Sequence, residues 1–222
     1  MLLLVGLGNP GPKYERNRHN VGFLAVDAIV HRHSFQPWRV KFEGLAAEGT
    51  IDGVRTLALK PQTFMNNSGD SVGPAMRFYK LAPAAVVVIH DELDLAAFKV
   101  KVKLGGGIAG HNGLRDIEAH IGPDFRRVRI GVGHPGDKAR VLSHVLNDFA
   151  KVEQADLDKL LGAIAEAAPL LAQNNDNAFM TKVALLTQPP REPKPGESKV
   201  GEPKPAKANA PGAPTPPEKE QA

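Results

Sequence analysis

The feature that most constrains this chain is the way its apolar runs end. "LLLVGLG" (2–8) and "AAVVVIHDELD" (84–94) are nearly continuous aliphatic stretches, and each breaks into a polar cluster. Runs this short, without alternation, read as strands covered on both faces. Between them the period changes to that of a helix. Val21, Leu24, Ala25, Ala28 and Ile29 form one stripe over 20–33. Val72, Ala75, Met76 and Tyr79 form another, which Ser68 can N-cap and which runs to about Lys80. Residues 54–59 read as a further strand, stopped at Pro61. "FKVKVKL" (98–104) and "RRVRIGVG" (126–133) alternate with period 2, placing Lys99, Lys101 and Lys103 on one face of the first and Arg127 and Arg129 on one face of the second. Helices are expected over 111–121, 138–147, 150–172 and 175–186. This interleaving predicts the α/β class: a single domain with a mixed, mostly parallel central sheet covered by helices on both faces. Ligands of such sheets collect beyond the C-terminal ends of strands, where "GNPG", "TFMNNSG", "HDELD" and "GHPG" fall.

The domain is expected to occupy residues 1–188. After Gln188 come 10 of the chain's 19 prolines, with Lys, Glu, Gly and Ala but no aromatic residue. Such a segment buries too little apolar surface to offset its ordering entropy, so 189–222 is expected to be a disordered Pro/Lys/Glu-rich tail. The absence of cysteine removes disulfides, thiolate nucleophiles and Cys-ligated zinc. The apolar run after Met1 has neither a basic flank nor a small-residue cleavage site, and no stretch reaches the roughly 18 apolar residues of a membrane helix. The expectation is a soluble, cytoplasmic protein with no membrane partner. The net charge is only +4, yet nine Lys or Arg stand against four Asp or Glu between Lys99 and Arg140. A basic sector on an otherwise near-neutral chain fits a polyanionic partner, with a merely solvated charged face as the alternative.

Gly6, Gly8 and Gly11 spell G-x-G-x-x-G, the fingerprint of a dinucleotide-binding turn. That motif needs a helix starting inside the turn and an acid about 20 residues on, at the end of a second strand. Here Pro10 and Pro12 bracket Gly11, helical periodicity starts only near Asn20, and Asp27 lies inside that helix. A dinucleotide-dependent oxidoreductase is therefore the weaker reading. What the turn does present is Asn9, whose amide accepts and donates at once. Ten residues on, "NRHN" places His19 at the start of a helix, where the local positive potential favours the neutral imidazole. Asp91, at the polar end of a buried strand, can orient such an imidazole. Neither a G-x-S-x-G elbow nor a thiol supplies a nucleophile, so a His–Asp pair would activate water directly. The remaining polar anchors are amides: Asn66 and Asn67 in "TFMNNSG" and Asn112 in "GGGIAGHNG", groups suited to an oxyanion or a peptide backbone. Gly105–Gly107 and Gly110 suit a phosphate nest or a lid but lack the G-K-[ST] ending of a P-loop. A zinc site made from His19, Asp91 and His111 has no supporting ligand spacing.

Five stretches, "VGLGNPGPKYERNRHNVGF", "KPQTFMNNSG", "HDELDL", "KLGGGIAGHNGLRDI" and "FRRVRIGVGHPG", resemble the bacterial peptidyl-tRNA hydrolase family in order and approximate spacing. The resemblance covers residues 2 to about 186. It implies that His19 is the general base activating water against the ester between a peptide and the tRNA 3′ ribose, and that Asp91 orients the catalytic His or the water. It implies that Asn9, Asn66 and Asn112 bind the peptidyl and 3′-terminal groups, with Asn66 also stabilising the oxyanion. Tyr14 and Met65 would line the cleft, and Lys103 and Arg129 would clamp a tRNA phosphate. The implied protein is a monomer that acts on peptidyl-tRNA in translation with no cofactor and no metal. A non-catalytic RNA-binding protein on the same fold is the alternative.

Overall fold

Seven strands and six α-helices make up the computed structural model, which describes residues 1–188. The tail expected to be disordered over 189–222 lies outside the described residues. Strand β1 (Leu2–Gly6) and strand β5 (Val86–Glu92) are the two aliphatic runs, and every residue in both is buried. They pair in parallel, and β4 (Val54–Pro61) and β7 (Arg126–Gly131) extend the parallel block on either side. β6 (Val100–Leu104) closes one edge antiparallel to β7. The other edge is a hairpin ladder of β2 (Arg39–Lys41) and β3 (Gly44–Ile51), antiparallel to each other and to β4. The full order is β2-β3-β4-β1-β5-β7-β6, the mixed, mostly parallel sheet expected.

Strand alternation sorts the aliphatic runs onto two cores. Leu2, Leu4, Val87 and Ile89 face one layer, formed by α1 (Val21–Arg32), α5 (Gln154–Ala172) and α6 (Asp176–Thr187). Leu3, Val5, Val86 and Val88 face the other, formed by α2 (Gly69–Phe78) and α3 (Asn112–Ile121). Only the short α4 (Val141–Val145) stands away from these layers, at the C-terminal end of the sheet, where it borders a cleft next to the end of β5.

Three local expectations change. The β2–β3 ladder occupies a stretch in which no strand is expected. Asp52 and Gly53 both take positive φ (47° and 77°) and join the paired Ile51 and Val54, so "DG" is a two-residue hairpin turn. Ser68 stands at the N-cap of α2, but its hydroxyl donates to the Met65 carbonyl at 2.8 Å instead of capping. Arg127, expected on a basic face, is 2% exposed. It donates to the Gly107 carbonyl at 2.9 Å and pairs with Glu118 at 3.3 Å, so it pins the glycine-rich loop rather than facing a ligand.

The glycines of the opening motif have a packing role. A side chain on Gly6 would collide with the Gly22 carbonyl, and one on Gly22 with the Ile89 carbonyl. Helix α1 thus lies directly on β1 and β5, and it begins ten residues past Gly11. Gly11 opens only a short 3-10 turn (Pro12–Tyr14), so no α-helix N-terminus meets the loop where a pyrophosphate would sit.

Candidate active site

β1 and β5 end side by side, and the loop after each supplies the site. From β1 the chain runs through Asn9 and back to a short 3-10 turn, Arg18–Asn20, that leads into α1. Asn20 holds this loop closed: its Oδ1 accepts from the Asn9 amide at 2.8 Å and its Nδ2 donates to the Asn9 carbonyl at 2.9 Å. The Asn9 side-chain oxygen accepts from the Met65 amide at 2.9 Å, which ties the loop after β4 to the loop after β1. The turn carrying His19 is bolted from behind. Arg18 pairs with Glu153 at 2.7 Å and donates to the Asp148 carbonyl at 2.7 Å, while Asn17 donates to the Asp148 carboxylate at 2.8 Å.

At the end of β5, Asp91 is 4% exposed and lies between two imidazoles. His19 Nδ1 donates to both carboxylate oxygens at 2.9 Å, and His111 Nε2 donates to Oδ1 at 3.0 Å. Burial pushes the Asp91 pKa up, but the two neighbouring histidines outweigh it and hold the group well below the usual carboxylate range. An ionised carboxylate only accepts, so the His19 proton sits on Nδ1 and Nε2 keeps its lone pair. Burial also lowers the His19 pKa, yet the charge and hydrogen bond of Asp91 raise it more, so the net shift is upward. This corrects the expectation that the helix N-terminus would favour the neutral ring; a carboxylate at hydrogen-bond distance outweighs a partial dipole.

His111 is the N-cap of α3, and its Nδ1 accepts from the Leu114 amide at 3.4 Å. His90 lies beneath it, with ring centroids 5.0 Å apart, and donates to the Asp91 carbonyl at 2.7 Å. Burial, with the neighbouring His111 second, lowers the His90 pKa to about 3, so it is a neutral packing element. Sequence reasoning assigned His111 no part with Asp91 beyond a conceivable metal set; its one local signal was a histidine at the start of a helix after a glycine run.

His19, Asp91, His111 and Asn112 line a cleft of about 580 Å³, walled by Ile108–Gly110 on one side and by Lys138 and Leu142 on the other. Of the expected site residues, the structure therefore brings His19, Asp91 and Asn112 into one cavity. Asn9 lines a second hollow of about 350 Å³ together with Gly11 and Gln62. Met65 is buried, and a side chain on Gly113 would strike its sulfur, so it backs the start of α3. Asn66 is exposed, and its Nδ2 donates to Asn67 at 2.7 Å. The Asn112 side-chain oxygen accepts from Arg115 at 2.9 Å, and Tyr14 is half-buried with Lys13 4.7 Å from its ring centre. Lys103 and Arg129 lie outside the cleft, on the same sheet face of β6 and β7. Lys103 is exposed, whereas Arg129 Nε pairs with the buried Glu92 at 2.8 Å.

Comparison with known proteins bears on this arrangement as a whole. The family model described as peptidyl-tRNA hydrolase matches residues 3–192. A curated peptidyl-tRNA hydrolase of Parvibaculum lavamentivorans is 63% identical over 196 residues, covering 88% of this chain and 96% of its own. One from Novosphingobium aromaticivorans is 62% identical over 188 residues, covering 85% and 98%. The crystal structure of peptidyl-tRNA hydrolase from Acinetobacter baumannii superposes with a TM-score of 0.78 at 42% identity, covering 82% of this chain and 94% of that one.

Proposed function

The chain belongs to the peptidyl-tRNA hydrolase family, and from that premise we propose how its residues divide the work. The reaction is hydrolysis of the ester joining a peptide to tRNA, which returns tRNA from aborted translation. His19 Nε2 takes a proton from water, and the water oxygen attacks the ester carbonyl. Asp91 holds Nδ1–H, so the ring keeps the correct tautomer and gains a counter-charge as it becomes imidazolium. The same imidazolium returns the proton to the departing ribose oxygen. Amide donors of Asn9, Asn66 and Asn112 take up the peptidyl carbonyls and the 3′-terminal groups, and Asn66 also stabilises the oxyanion. Its present bond to Asn67 lies at the surface, where water can replace it. Each oxyanion donor of this kind is worth about 10² to 10³ in rate. Tyr14 and Met65 shape the cleft, and Lys103 and Arg129 receive a tRNA phosphate. No cofactor or metal carries a step.

The observation that supports this most directly is His19 itself: Nδ1 anchored at 2.9 Å on an ionised, buried carboxylate, and Nε2 with no protein partner among the described residues. The test is release of labelled N-acyl-amino acid from N-acyl-aminoacyl-tRNA. His19→Ala should lower kcat by about 10² to 10⁴ while tRNA affinity stays within a few-fold of wild type. Retention of turnover by that variant would remove His19 from the chemistry. The working form in this reading is a cytoplasmic monomer. Its substrate belongs to translation, and among the described residues no helix is long and apolar enough to cross a membrane.

A further inference from the structure

The Asp91 carboxylate is shared, and that sharing creates a second kind of site. One ligand atom each from His19, Asp91 and His111 lies within 4.8 Å of the other two. Two imidazoles and one carboxylate, all partly or fully buried, make a donor set for a borderline-soft divalent ion, and not for a hard one that demands oxygen throughout. We propose that the His19–Asp91–His111 cluster binds a divalent transition-metal ion of the zinc class, and that the bound ion switches hydrolysis off.

The distances suit such an exchange. His19 Nδ1 and His111 Nε2 stand 2.9 and 3.0 Å from Asp91 Oδ1, each bridged by a proton. Around a tetrahedral zinc all three donor atoms would be about 3.3 Å apart, so the two nitrogen–oxygen pairs open by a few tenths of an ångström while the two nitrogens, within 4.8 Å of each other, draw together. The rings, 5.1 Å apart and tilted by 43°, then have to lean inward to bring both nitrogens onto the ion. Asp91 and Asp94 line the cleft against a single Lys138, with Glu92 beside them already paired with Arg129, so its carboxylates still outnumber its fixed cations. The cleft is wide enough for water to complete the coordination shell. Behind the ligands, the bond from His90 to the Asp91 carbonyl keeps the strand end in place.

Inhibition follows from the choice of nitrogen. The ion takes the Nδ1 lone pair of His19, so the ring proton moves from Nδ1 to Nε2. The lone pair that would accept a proton from water is then gone. His111 undergoes the reverse shift: its proton leaves Nε2 for Nδ1, at the cost of the long 3.4 Å bond from Leu114. Metal binding stands on geometry alone, whereas inhibition rests on the reading of His19 as base.

The two halves separate in one experiment on the full chain. Cobalt(II) is titrated in the absence of tRNA and followed by its visible ligand-field absorption, for wild type, His111→Asn, His111→Gln and His31→Asn; folding is checked by circular dichroism. One equivalent should bind. Affinity should fall by at least about tenfold in both His111 variants, which lose one of three protein ligands, and stay unchanged in His31→Asn, on the exposed end of α1. Zinc should then abolish turnover over the range in which it competes with cobalt, with full recovery in EDTA. An absent band, or a band indifferent to His111, overturns the site. Zinc bound at the site with turnover intact overturns the inhibition and, with it, the role given to His19. Inhibition that scales with tRNA concentration instead of enzyme places the metal on the RNA and overturns the proposal.

Discussion

The end of β5 and the adjoining β6–β7 edge both carry charge, and they treat it in opposite ways. At the end of β5, His90, Asp91 and Glu92 are 1%, 4% and 6% exposed, and each is held by a hydrogen bond inside the protein. Two strands away in β6, Lys101 and Lys103 point into solvent. Arg129 joins the two regions, since its guanidinium lies on the basic face while its Nε is engaged by Glu92. Proton transfer requires a group whose tautomer and direction are determined before substrate arrives, and only desolvated, partnered groups meet that condition. Attraction of a polyanion requires cations that act through water over a Debye length of about 8 to 10 Å, at the cost of sensitivity to salt. The first region should therefore govern kcat and the second KM.

The strongest way to break that division is Asp91→Asn. It should lower kcat by about 10² to 10⁴, with KM nearly unchanged, because an amide can donate to Nδ1 and leave the lone pair on the wrong nitrogen. Its pH profile carries a second sign. In the wild type Asp91 raises the His19 pKa above 6.5, so kcat/KM should fall on the acid side of a limb lying above 6.5. Asp91→Asn removes that charge and leaves burial to act alone, so the limb should move to lower pH. A limb that stays in place would mean that Asp91 does not set the basicity of His19.

Next in size is Arg129→Ala. It leaves the Glu92 carboxylate buried and unpaired, and about 3 kcal/mol of unfolding free energy should be lost alongside the rise in KM. Arg129→Ala combined with Glu92→Gln should recover most of the stability but not the KM. Recovery of both by the double variant would show that Arg129 acts only as a structural partner. Lys103→Ala removes an exposed cation, so it should raise KM several-fold, leave kcat alone and reduce the log–log salt slope of tRNA binding by about one. An unchanged slope would take Lys103 off the phosphate. The smallest effect expected is from truncation after Gln188, because a Pro/Lys/Glu-rich segment without aromatic residues has little apolar surface to add to a core. Turnover within twofold of the full chain is the expected outcome; a large loss would give the lysines of the tail a part in RNA binding.

Legibility in the sequence followed sequence separation. β1, β5, β6 and β7 were readable because period and burial are written in consecutive side chains. β3 was not, since "GLAAEGTI" has little intrinsic strand preference. It is a strand because Gly44 admits the Ser71 hydroxyl and Gly49 lies under the Phe35 ring, contacts that exist only in the folded chain. The Asp52–Gly53 turn was the one local signal available there. Arg127 read as half of a basic face by alternation, and it is buried because the Gly105–Gly107 loop and α3 close over it. His19 and Asp91 could be singled out one at a time, from a polar loop and a strand end.

By itself, the sequence determined the α/β class, the placing of the polar clusters beyond the strand ends and the location of the basic sector, because hydrophobic periodicity and residue chemistry are properties of the covalent chain. Only the tertiary structure decided that Asp91 serves two histidines, 72 and 20 residues away in the chain, that the His19 proton rests on Nδ1 and that its pKa rises. Tautomer and proton affinity depend on which charges end up within about 3 Å in a site shielded from water, and those neighbours meet only once the sheet has brought β1, β5 and the start of α3 together.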